Sequence, residues 1–117
     1  MCNIHALEII PSQETIDSIA IYHIEFENES FDYNELLSKL KHVIHELNFM
    51  EKHDNAEWMQ QRGSDYLTNP KLFAHVPLTY LCAFLGELFK TYELEELQEK
   101  LTPQILKCAL TRLDHFK

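Results

Sequence analysis

Glycine and proline are scarce in this chain of 117 residues, which has only Gly63 and Gly86, and Pro11, Pro70, Pro77 and Pro103. Tight hairpin turns depend on such residues, so an all-β fold of this length is disfavoured and helices joined by short links become the expectation. Three cysteines, Cys2, Cys82 and Cys108, are too few and too scattered for a disulfide framework or a CxxC zinc site. No apolar run approaches the roughly 20 residues of a membrane span, and MCNIHALEII lacks the basic-then-apolar layout of a secretory signal. A cytoplasmic protein without a membrane anchor is expected.

Positive charge is also in short supply. Ten Lys and Arg stand against nineteen Asp and Glu, a formal net charge of −9. Direct binding to nucleic acid or to an anionic membrane needs clustered cations, so both are disfavoured, and a basic or neutral protein partner suits the chain better. What the sequence does contain is an ordinary globular balance of 45% hydrophobic and 25% charged residues, at the size of one domain spanning residues 1–117.

The fold class that follows is mainly α, a compact bundle of about five helices. From Asp32 onward, Leu36, Leu40, Val43, Ile44 and Leu47 form one stripe at spacings of three and four, with Asp32 or Asn34 as the cap. Lys39, Lys41, His42, His45 and Glu46 fall on the polar side. Asp54 followed by Glu57 makes a capping-box pattern before Trp58 and Met59, and Gly63 weakens or ends that helix. Pro70, after Thr68 or Asn69, opens a single turn that Phe73 pins to the core.

Leu78, Leu81, Phe84, Leu85, Leu88 and Phe89 make an apolar surface too broad for a half-buried element, so the helix beginning at Pro77 is expected to be central. The segment TYELEELQEKL continues after a bend near Thr91, with Leu94, Leu97 and Leu101 inward. Thr102 as cap and Pro103 as first residue open a last helix carrying Ile105, Leu106, Ala109, Leu110, Leu113 and Phe116 on one face. The N-terminal third is ambiguous. SIAIYHIEF reads as a strand alternating Ala20, Tyr22, Ile24 and Phe26, giving a short β-hairpin, or as a helix with an apolar stripe, and helix is the preferred assignment.

Widely spaced positions resemble a bacterial family of small proteins built on a helical domain of unknown function. They are Asn48, Phe49 and Met50, then His53, Asp54 and Trp58, then Asn69, Pro70, Leu72, Ala74 and Leu78, and finally Ile105, Leu110, Arg112 and Leu113. The resemblance runs from Phe31 to Leu113 and implies a helical fold without an activity. Where that family carries an arginine-rich patch, this chain has LGELFKTYELEEL, with Lys90 and Glu93 in place of arginines.

Chemistry is thinly signalled. His42 and His45 stand three apart on one helix, and with His53 or Asp54 they are the candidate ligands of a divalent metal or of a metal-dependent enzyme. Two exposed histidines on a solvated face is the simpler expectation. Cys82 and Cys108 lie in apolar helices, where thiols are usually inert, and Ser64 with Asp65 suits a turn better than a nucleophile. Phosphate-cradling and HExxH motifs are absent, and no cofactor is expected. Trp58, Tyr66, Phe73, Tyr80 and Tyr92 suit core packing better than a ligand pocket.

The leading functional expectation is therefore a non-enzymatic interaction protein whose acidic face, Glu87, Glu93, Glu95, Glu96 and Glu99, docks a basic partner. A homo-oligomer covering the broad surface from Leu78 to Phe89 is a further expectation.

Overall fold

The computed structural model describes residues 11–50 and 55–116. Among them are six α-helices: α1 (Gln13–Ala20), α2 (Tyr33–Glu46), α3 (Ala56–Gln61), α4 (Leu78–Thr91), α5 (Leu94–Lys100) and α6 (Pro103–Asp114). Three short 3-10 segments, Ile21–Glu27, Gly63–Leu67 and Pro70–His75, join them, and no strand occurs among the described residues. The ambiguous SIAIYHIEF stretch is helical. Its apolar side chains divide as a helix requires, with Ile19 and Ala20 buried in line with Ile16 of the preceding turn, while Ile24, an inward position of the alternative strand, is half exposed.

Capping explains where the helices begin. Asp32 accepts the N–H groups of Asn34 at 3.0 Å and Glu35 at 3.3 Å, Asn69 accepts that of Lys71 at 3.2 Å, and Thr102 accepts that of Ile105 at 3.3 Å. Each meets a donor that the helix itself leaves unpaired. Between α4 and α5 the backbone turns extended at Tyr92 (φ −104°, ψ 139°), so the bend expected near Thr91 is a full break.

α4 is the axis of the fold. All nine residues from Leu81 to Phe89 are buried, and every other helix packs into the single hydrophobic cluster that surrounds it. Each fully buried Leu or Phe stabilises by about 1.5–3 kcal/mol. The chain thus covers Leu81 to Phe89 by itself, while Leu78 and Tyr80 are partly buried. No helix among the described residues is long and apolar enough to cross a membrane.

Two details depart from the expected stripes. On α2, Leu37 is fully buried and Leu47 is 38% exposed, because α4 and α5 cover a face rotated toward Leu37. Past Leu47 the chain turns with Asn48 at φ 53° and Met50 at φ 54°. The N–H groups of Asn48 and Phe49 bond the carbonyls of His45 at 3.1 Å and Ile44 at 3.0 Å, a Schellman closure with asparagine in the left-handed position.

That turn presses on α4 at Gly86, where an added Cβ would sit 2.6 Å from Met50 Cβ. In an ordinary helix interior, Gly to Ala stabilises by about 1 kcal/mol. Here Gly86→Ala should instead destabilise the protein by about 1–3 kcal/mol through overpacking. Urea unfolding monitored by circular dichroism measures this, and a raised midpoint would show that the turn can retreat.

Candidate functional site

The C-terminal half of α4, the adjoining face of α2 and the first turn of α5 enclose a groove of about 450 Å³. Its floor is apolar. Ile44 and Phe49, brought side by side by the Schellman turn, line it together with Gly86 and Phe89 of α4 and Leu94 of α5. Ser38, Lys41, His42 and His45 from α2 and Lys90 from α4 complete the lining, which among the described residues contains no carboxylate.

Lys41 is tied into the fold by two hydrogen bonds. Its ammonium donates to the carbonyl oxygens of Phe89 at 3.0 Å and Tyr92 at 2.9 Å, closing the C-terminal end of α4 where helix carbonyls lack intrahelical partners. An ammonium has three donors, so one N–H remains beyond these two bonds. Sequence reading had put Lys41 on a solvated face. No local signal marks it, since its partners lie 48 and 51 residues away. The Asn48 left-handed cap, by contrast, is a recognisable helix stop.

Glu87 requires a correction. Grouped by sequence with an exposed acidic face, it is only 4% exposed, because it sits on the buried side of α4. Its carboxylate accepts the backbone N–H of Asn55 at 2.8 Å, lies 3.1 Å from the Lys90 ammonium, and takes the Thr91 hydroxyl at 3.5 Å. It thereby docks the start of α3 on α4. α3 begins at Ala56 after Asn55, whose side chain makes no capping bond; Asp54 of the expected capping box lies outside the described residues.

The remaining acidic residues behave as expected. Glu93, Glu95, Glu96 and Glu99 are exposed along α5 and its entry, and no ion pair among the described residues engages them. Leu97, fully buried, anchors this ridge, and Tyr33 of α2 donates its hydroxyl to the Leu101 carbonyl at its end. Burial raises the Tyr33 phenol above its ordinary range, so it remains a donor.

His42 and His45 are both exposed on the rim of the groove. Among the described residues no three His, Cys, Asp or Glu side chains converge as metal ligands, and His53, the third ligand proposed from sequence, lies outside them. The aromatics pack on one another: Trp58 against Tyr80 at 5.5 Å between centroids, Tyr66 against Phe73 at 5.2 Å, Phe73 against Phe84 at 5.4 Å. Gly63 is closed in by the same cluster, its position for a Cβ lying 2.8 Å from Trp58 Cζ3. Tyr92 instead carries the Lys100 ammonium 5.2 Å from its ring centroid.

Comparison with family models, curated proteins and solved structures finds no match to this chain. The resemblance noted above therefore rests on its residues alone.

Two measurements follow. Glu87→Ala leaves the Asn55 N–H without its acceptor and should cost about 2–3 kcal/mol, whereas Glu87→Gln, which keeps an acceptor oxygen, should cost less; equal losses would assign the effect to charge. Burial pushes the Cys82 thiol from 9.0 up to about 12. Its folded pKa being raised, the stabilisation it provides is complete below pH 9 and declines as pH rises toward 12. Cys82→Ala should flatten that alkaline decline in pH-dependent urea unfolding, and an unchanged slope would put the decline elsewhere.

Proposed function

We propose that this protein is a small non-enzymatic interaction module of the cytoplasm that docks a basic protein partner through the ridge of Glu93, Glu95, Glu96 and Glu99. The observation that carries this reading is the placement of four exposed carboxylates within seven residues, on a helix whose Leu97 is fully buried. Like charges so close repel one another, and the helix tolerates them because the apolar side is secured to the core.

A cationic surface arriving at such a ridge gains from several charges at once without refolding it. Exposed pairs are individually weak, so recognition of this kind acts mainly on the association rate and on discrimination between partners. The same charge repels nucleic-acid phosphates. Glu87, being buried and bonded to Asn55, takes no part.

The test is affinity capture from source-cell lysate at low and high salt, run in parallel with the variant carrying Glu93→Gln, Glu95→Gln, Glu96→Gln and Glu99→Gln. The expected result is a stoichiometric partner held at low salt, released at high salt and missed by the variant, with the helical circular dichroism of the two proteins alike. A partner retained equally by both proteins, or no stoichiometric partner at all, would overturn the reading.

A further inference from the structure

The groove between α2, α4 and α5 has a different character from the acidic ridge beside it. In a chain of net charge −9, this recess of about 450 Å³ is lined, among the described residues, by two lysines and two histidines and by no carboxylate. The volume falls within the roughly 300–1,000 Å³ typical of small-molecule pockets, which combine an apolar wall with a few placed polar groups. We propose that this groove binds a small amphipathic monocarboxylate, its apolar body on Ile44, Phe49, Phe89 and Leu94 and its carboxylate against the Lys41 ammonium.

The charge count selects the head group. Lys90 is paired with the Glu87 carboxylate at 3.1 Å, so its charge is already matched. Among the described residues Lys41 meets two neutral carbonyl oxygens, those of Phe89 and Tyr92, and no carboxylate. The C-terminal end of α4 contributes about −0.5 of a charge, which leaves the recess with a modest positive excess. A single carboxylate is the smallest anionic group that meets this excess, whereas a doubly charged phosphate overshoots it furthest and a cation would be repelled. Because the Lys41 side chain is already tethered at both carbonyls, little rotamer freedom is left for a ligand to remove, and the third N–H remains to donate to it.

The placement of the floor agrees with this assignment. Phe49 and Ile44 come together through the Schellman turn, with Met50 held left-handed against Gly86, so the apolar wall is fixed before any ligand arrives. Ser38 lies in the lining on the exposed side of α2, where Glu and Lys are both better helix formers than Ser, so charge can be changed there without disturbing the core.

The experiment titrates the intact protein with decanoate, decanol and decyltrimethylammonium below their micellar concentrations, by calorimetry and by backbone amide chemical shifts. Decanoate should bind saturably at one site, about tenfold more tightly than decanol, and decyltrimethylammonium should bind least. Shifts should concentrate at residues 38–49 and 86–94. Ser38→Glu should weaken decanoate by about tenfold and Ser38→Lys should tighten it by a few-fold, with decanol affected by neither. Absence of saturable decanoate binding, equal affinity for decanoate and decanol, shifts centred elsewhere, or Ser38→Glu and Ser38→Lys acting in the same direction would each overturn the proposal.

Discussion

Everything else in this molecule follows from one helix that is apolar nearly all the way round. α4 buries every residue from Leu81 to Phe89, so elements on all sides must enclose it. Enclosure on this scale removes water from the polar groups that remain within reach. The Glu87 carboxylate and the carbonyls at the end of α4 are the groups affected, and each finds a partner supplied by a distant part of the chain. An unpaired carboxylate in that position would cost several kcal/mol, so these contacts are requirements of the burial itself.

The same constraint produces the groove and the ridge as neighbours. α5 lies against α2 with Leu97 and Leu101 fully buried, which turns its glutamates outward and brings Leu94 to the edge of the recess. Lys41, drawn to the end of α4, places a positive charge on the inner side of the same short helix whose outer side is acidic. Surfaces of opposite character thus stand back to back across seven residues. The division arises from helix geometry: residues three and four apart share a face, and Leu94 and Leu97 take the inner one.

Much of the fold could be read directly. The caps at Asp32, Asn69 and Thr102 are local hydrogen bonds between neighbours in sequence, and the stripes on α2 and α6 are periodic, so short windows reveal them. Exposure of Glu93, Glu95, Glu96, Glu99, His42 and His45 was equally legible, since each lies opposite an apolar stripe. The SIAIYHIEF segment was not, because a short run of alternating apolar residues satisfies both periodicities, and only packing against α6 decides between them.

By itself, the sequence determined the helical class, the centrality of α4, most helix starts and the acidic character of α5, all of which depend on composition or on neighbours a few residues apart. Tertiary structure alone decided the fate of Glu87, Lys41 and Gly86. Glu87 has the same charge as the glutamates of α5, yet it is buried because it faces Asn55, 32 residues earlier in the chain. Lys41 looks like any lysine on a polar helix face until the end of α4 arrives beside it. Gly86 would weaken an isolated helix, and its value appears only where Met50 comes within the space of a methyl group. Each role is set by a contact across a long stretch of chain, and no local pattern encodes such a contact.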